Sequence, residues 1–136
     1  MDLNGTLTVK GKFAEGVEER LERLKKKGLK IFLFSGDTRG NGQEIADKLK
    51  IDMIKASTGE EKRAAVLDLK PLTCVAIGNG LIDALLFQTV KLSIATLQAE
   101  GVHIKSLIEA DIVVPSLLDA LDLLLDESSL IATLRP

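Results

Sequence analysis

The run Thr73-Cys74-Val75-Ala76-Ile77 is apolar at every position after its threonine, and it stops at Gly78-Asn79-Gly80. A strand with no polar side must be covered on both faces, which is the situation of a strand inside a parallel sheet. Leu29 to Phe34 is a second short, mostly apolar run, broken by the turn-forming residues Ser35-Gly36-Asp37-Thr38. Between such runs lie segments of helical character. From Ala14 to Lys27, Val17, Leu21 and Leu24 recur at helical spacing among charges, and Gly28 follows as a stop.

The same reading gives helices over Gln43 to Leu49, Glu60 to Leu69, around Ile82 to Phe87, and from Pro115-Ser116 to about Leu125. It gives strands at Asp52 to Ile54, Leu92 to Ala95 and Asp111 to Val114, with Ser129 to Leu134 as a late strand candidate. Strands alternating with helices predict an α/β layer fold with a mostly parallel sheet, as one domain spanning residues 1–136. Ligands of such sheets bind at the carboxyl ends of the strands. The loops after Phe34 and Ile77 and the segment beginning at Asp2 therefore converge on one edge.

Composition narrows the function. With 18 basic and 20 acidic residues the formal net charge is -2, so no overall field favours a polyanion, and a nucleic-acid partner is not expected. Tyrosine and tryptophan are absent, leaving four phenylalanines for any stacking role. No stretch approaches the roughly 20 apolar residues that cross a bilayer, and no basic region followed by an apolar core opens the chain. With Cys74 as the single cysteine, the expectation is a cytoplasmic protein with no membrane partner.

The chemistry-bearing residues lie at the predicted edge. Asp2-Leu3-Asn4-Gly5-Thr6-Leu7-Thr8 opens the chain, Ser35-Gly36-Asp37 follows one strand, Lys62 sits in Gly59-Glu60-Glu61-Lys62, and Val75-Ala76-Ile77-Gly78-Asn79-Gly80-Leu81-Ile82-Asp83-Ala84 follows another. In that order they resemble the motifs of the haloacid dehalogenase superfamily, and most nearly the phosphorylation domain of P-type ATPases, whose Asp-Lys-Thr-Gly-Thr, Thr-Gly-Asp and Gly-Asp-Gly-x-Asn-Asp-Ala they parallel. Glu109 to Val114 and Leu118 to Leu123 also look like the last strand and helix of that domain.

The resemblance implies a three-layer Rossmannoid fold and a magnesium-dependent phosphohydrolase. Asp2 would be the nucleophile that becomes an aspartyl-phosphate. Asp2, Gly5, Thr6, Ser35, Gly36 and Lys62 would bind the phosphoryl group, with Asp2, Asn4, Ser35 and Lys62 as the catalytic set. Asp2, the Asn4 carbonyl, Asn79 and Asp83 would surround Mg2+.

Three departures qualify it. Asn4 stands where most phosphatases of the superfamily have a second aspartate as general acid and base, and an amide cannot exchange that proton. Asn79 replaces a metal-binding aspartate, and Ile82 replaces an asparagine. The family's central first strand ends at the nucleophile, whereas only Met1 precedes Asp2 here. These motivate an alternative, a catalytically weak domain that binds phosphate or a protein in a regulatory role.

No cap domain fits between the motifs, and Thr8 to Phe13 allow at most a small flap. The resemblance then implies an open site, suited to a large phosphorylated substrate or to a cover supplied by a second copy in a homo-oligomer. Arg39, beside the Ser35 loop, is a candidate contact for a leaving group. His103, the only histidine, reads as an ordinary boundary residue, and Lys25-Lys26-Lys27 as the solvated end of a helix.

Overall fold

The computed structural model describes residues Met1–Pro136. In chain order it forms α1 (Val17–Lys26), β1 (Phe32–Ser35), α2 (Gly42–Leu49), β2 (Asp52–Lys55), α3 (Gly59–Leu67), β3 (Val75–Gly78), α4 (Ala84–Phe87), β4 (Leu92–Thr96), α5 (Ile104–Glu109), β5 (Ile112–Val114), α6 (Leu117–Leu125) and α7 (Glu127–Leu134). Single 3-10 turns at Pro71–Thr73 and Leu81–Asp83 lead into β3 and α4. The expected α/β architecture is present.

Every strand pairing is parallel. β1 lies on β2 with Phe32 opposite Asp52, while β3, β4 and β5 are adjacent in that order, with Ile77 opposite Ile94 and Ile94 opposite Ile112. What joins the two groups is the start of the chain. The Met1 nitrogen donates to the Phe32 carbonyl (2.7 Å), the Phe34 amide donates to the Met1 carbonyl (2.8 Å), and the Asp2 amide donates to the Ile77 carbonyl (2.9 Å). Met1 and Asp2 thus lie between β1 and β3.

Side chains alternate across this sheet with period two, so neighbouring residues enter different cores. Leu33, Ile77 and Ile94 pack with Leu21 and Leu24 of α1 and Leu117 and Leu121 of α6. Phe34, Ala76 and Ala95 pack with Val66 of α3 and Leu86 and Phe87 of α4. Helices on both faces give the three layers. Arg20 of α1 reaches Asp122 of α6 through Nε and Nη2 at 2.6 and 3.1 Å, a bidentate clamp on one helical layer.

The C-terminus departs from expectation. Ser129 to Leu134 lies in α7, where the Asp126 carboxylate accepts the Ser129 amide (3.2 Å) and no side chain is buried. An N-terminal cap satisfies the amides locally, so the β-branched residues have no sheet edge to seek. The sequence reading did not assign helix α5, although Ile104, Leu107 and Ile108 recur at helical spacing; only Ser106 of it is buried, and His103 caps it, its Nδ1 accepting the Lys105 amide (3.1 Å). The strand predicted from Leu29 begins at Phe32 instead.

Candidate active site

Asp2, Lys62 and Asp83 meet at the carboxyl ends of the central strands. Lys62 enters from the N-terminal half of α3, whose start is fixed by Thr58 accepting the Glu61 amide (3.1 Å). Its side chain is fully buried, and Nζ donates to Asp2 Oδ1 at 2.6 Å and to Asp83 Oδ1 at 2.7 Å. Asp83 Oδ2 accepts the amides of Asn79 (3.0 Å) and Gly80 (2.9 Å). A side chain at Gly78 would occupy the space of this carboxylate, so glycine there is a condition of the arrangement.

Two carboxylates share one ammonium in a nearly dry setting. Burial and the charge of Asp83 push the Asp2 carboxyl up to about 6, against the pull of Lys62. Burial would lower the Lys62 ammonium, but the charges of Asp83 and Asp2 outweigh it and raise it above the ordinary lysine value. Above pH 6 the cluster therefore holds an ionised aspartate with Oδ2 free of side-chain partners, beside a permanent cation. Chemically, this sets a carboxylate with one oxygen to spare beside a cation able to meet an anion.

The loop after Asp2 folds back on itself. Thr8 donates its amide to the Leu3 carbonyl (2.8 Å), the Gly5 amide donates to the Thr8 carbonyl (2.7 Å), and Gly5 has φ +80, where a side chain would run into the Asn79 amide. The Thr6 hydroxyl donates to Asn79 Oδ1 (3.1 Å), and Asn79 Nδ2 donates to the Gly101 carbonyl (2.8 Å). Gln98, just beyond β4, holds the loop from beneath. Its Nε2 donates to the carbonyls of Gly5 (2.9 Å) and Thr6 (2.8 Å), and its Oε1 accepts the Leu117 amide at the start of α6 (3.0 Å).

Ser35 is buried at the end of β1, one residue past the point where Phe34 bridges to Asp2. Its Oγ accepts the Asp37 amide (2.9 Å), Asp37 adopts φ 57, and its Oδ1 caps α2 through the Gly42 amide (2.7 Å). Gly36 lets this turn pass against Ser57. On the exposed rim, Arg39 Nε donates to Asn4 Oδ1 (3.1 Å) and Nη2 lies 3.6 Å from Glu100, which also accepts the Lys10 amide. The expected small flap is a tight turn closed by the Val9 to Lys12 bridge.

Nowhere do three His, Cys, Asp or Glu side chains gather. The oxygens near the nucleophile with acceptor capacity to spare are Asp2 Oδ2, the Asn4 carbonyl, which accepts no hydrogen bond, and Asn79 Oδ1, which accepts one. Asp83 is already held by Lys62 and two amides. Such a sparse oxygen set fits a hard cation that keeps much of its water, magnesium more than calcium.

Sequence reading placed Asp2, Lys62 and Asp83, which are directly bonded, and Asn79, which joins the loop through Thr6. It placed Ser35 and Gly36 at the adjacent strand end. The Asn4 side chain turns away to Arg39, and the Thr6 hydroxyl is engaged by Asn79. Gln98 and Glu100 were missed; their only signal was position after a parallel strand.

No known family model matches the chain. It is 40% identical over 94 residues to an uncharacterised protein of Methanocaldococcus jannaschii, covering 64% of this chain and 99% of that one. It is 28% identical over 123 residues to a soluble P-type ATPase-like phosphatase of the same organism, covering 87% of this chain but only 45% of the phosphatase. Among solved structures, it superimposes on the 3-deoxy-D-manno-octulosonate 8-phosphate phosphatase of Moraxella catarrhalis, in complex with magnesium, phosphate and KDO. The TM-score is 0.75 at 18% identity, over 98% of this chain and 90% of that one.

Proposed function

We propose, from its likeness to haloacid dehalogenase-type phosphatases and to a soluble P-type ATPase-like phosphatase, that the chain is a magnesium-dependent phosphohydrolase acting through an aspartyl-phosphate on Asp2. The observation that carries this reading is Lys62, buried and bonded to both Asp2 and Asp83. An Asp2 carboxylate oxygen attacks phosphorus, and the bond from phosphorus to the leaving oxygen breaks. Water then attacks the phosphorus of the aspartyl-phosphate, which releases inorganic phosphate and restores the carboxylate.

Lys62 and the Ser35 hydroxyl hold the phosphoryl oxygens, and the backbone of Gly5, Thr6 and Gly36 lets the group approach closely. Magnesium, held by Asp2, the Asn4 carbonyl and the Asn79 amide oxygen with Asp83 completing the charge balance, would neutralise phosphoryl charge. Because Asn4 has no proton to give, a leaving group must depart as its anion. Aryl and acyl phosphates are then better substrates than alkyl phosphates, by about 10²- to 10⁴-fold, the usual worth of a positioned acid.

The alternative, a phosphate-binding domain with little turnover, is favoured by one observation. Both polar atoms of the Asn79 side chain are engaged, by Thr6 and Gly101. The two readings separate on para-nitrophenyl phosphate and beryllium fluoride. The enzyme reading expects magnesium-dependent hydrolysis, and a rise in Tm of several degrees with magnesium and beryllium fluoride through binding to the native state. A Tm rise with phosphate alone and no turnover at any magnesium concentration would favour the binding domain.

A further inference from the structure

Arg39 stands on the open rim of the site with most of its hydrogen-bonding capacity unused. Its turn is fixed from below. Ser35 Oγ accepts the Asp37 amide (2.9 Å), the Gly40 amide donates to the Asp37 carbonyl (2.9 Å), and Asp37 Oδ1 accepts the Gly42 amide at the start of α2 (2.7 Å). The serine assigned to the phosphoryl oxygens thus also anchors the turn that carries Arg39. From there Nε donates to Asn4 Oδ1 at 3.1 Å, two residues past the nucleophile.

A guanidinium fork has further N–H donors on Nη1 and Nη2, and here none of them makes a hydrogen bond. Nη2 lies 3.6 Å from Glu100 Oε1, an oxygen that already accepts the Lys10 amide. Nη1 lies opposite Gly11, where a side chain would come within 4.0 Å of it. Lys10 and Lys12, exposed on the same turn as Gly11, form no ion pair. Cations therefore outnumber carboxylates on this rim, where Glu100 is loosely held and Asp37 is spent on capping α2.

The depth of the site gives this rim its meaning. Asp2, Ser35, Lys62, Asn79 and Asp83 are buried, whereas Asn4 is half-buried and Arg39 exposed. A phosphoryl group seated on Asp2 has its departing portion on the open side, past Asn4 and under the guanidinium. As the Asp2 oxygen bonds to phosphorus, the electron pair of the breaking bond stays on the leaving oxygen, and Asn4 has no proton to offer it. Lys62 is committed to Asp2 and Asp83. Arg39 keeps its charge at every working pH, and its planar fork matches the paired oxygens of a carboxylate or phosphate.

We propose that Arg39 determines substrate specificity by receiving an anionic group, a carboxylate or a second phosphate, carried on the leaving group. The proposal rests on the reading of Asp2 as the nucleophile. In the free protein Glu100 faces the guanidinium; in the complex the substrate's oxygens replace it.

The test compares 3-carboxyphenyl phosphate with 3-carbamoylphenyl phosphate, which share a shape and differ by one charge. The carbamoyl group withdraws electrons more strongly, so leaving-group acidity alone favours the neutral ester. The parent should nevertheless prefer the carboxylate by on the order of tenfold in kcat/KM, a modest return for a charge-assisted pair on an open rim. Arg39→Gln, which can still donate to Asn4, should abolish that preference. Glu100→Gln, which can still accept the Lys10 amide, should lower KM for the carboxylate ester. 1,3-Phenylene bisphosphate separates the two sources of charge: whichever anionic ester loses more with Arg39→Gln carries the preferred group. A parent with no preference, or an Arg39→Gln variant that slows both esters equally, overturns the proposal and leaves Arg39 as a prop for Asn4. If neither ester is turned over, the phosphohydrolase reading fails by itself, and calorimetric titration of the intact esters decides the role of Arg39. Tighter binding of the carboxylate ester, lost in Arg39→Gln, upholds it; equal binding of the two overturns it.

Discussion

Lys62→Met should lower the stability of the ligand-free protein by about 3–5 kcal/mol, the usual cost of leaving a buried charge without its partner. The lysine is fully buried and bridges two carboxylates at 2.6 and 2.7 Å, so methionine keeps the volume and leaves Asp2 and Asp83 facing each other with no cation between them. A loss of that size moves Tm by on the order of 10–20 °C for a chain of this length, which circular dichroism would record. The loss should shrink as pH is lowered, because protonation of Asp2, whose carboxyl burial already holds up, removes its repulsion with Asp83. A variant that melts within a degree or two of the parent at pH 7.5 would show that Lys62 is not the electrostatic keystone described above.

Asp2→Asn should act in opposite directions on the two properties. Phosphatase turnover should fall by about 10³-fold or more, because the nucleophile is gone, whereas ligand-free stability should rise. Asp2 is held up to about 6, first by burial and then by Asp83, against an ordinary value of 3.8. A carboxyl raised in the folded state adds stability below its unfolded pKa and loses that contribution as pH rises through its folded pKa, so the parent protein should weaken between about pH 4 and 6. Asparagine still accepts the Lys62 hydrogen bond without carrying the charge. A gain of a few degrees in Tm at pH 7.5, absent at pH 4, is the expected result; a loss at both would mean that the ion pair outweighs desolvation.

The parts of this molecule legible in the sequence share one property: their signal is local. Thr73 to Ile77 announces a doubly covered strand by composition alone, and Val17, Leu21 and Leu24 announce a helix by spacing. The spacing of Asp2, Ser35, Lys62 and Asp83 in chain order, through resemblance to a known family, brought them to one edge before any contact was visible. What remained hidden depends on partners distant in the chain. Ser129 to Leu134 has strand-forming residues, yet one aspartate cap turns it into a helix, and α5 has apolar residues but almost nothing to bury them against. Asn79 could be compared with an aspartate, but not seen to bind Thr6 and Gly101. That Met1 would bond β1 and Asp2 would bond β3 is a property of the assembled sheet.

The Gln98 side chain has a consequence for how the two ends of the chain sense each other. One amide group holds the carbonyls of Gly5 and Thr6 on one side and the Leu117 amide on the other. The Leu117 proton can exchange with solvent only when that clip opens, so its deuterium uptake reports the looseness of the Gly5 and Thr6 turn. A ligand that tightens the turn would slow exchange at the first residue of α6, giving a label-free readout of occupancy in a residue that touches neither nucleophile nor ligand.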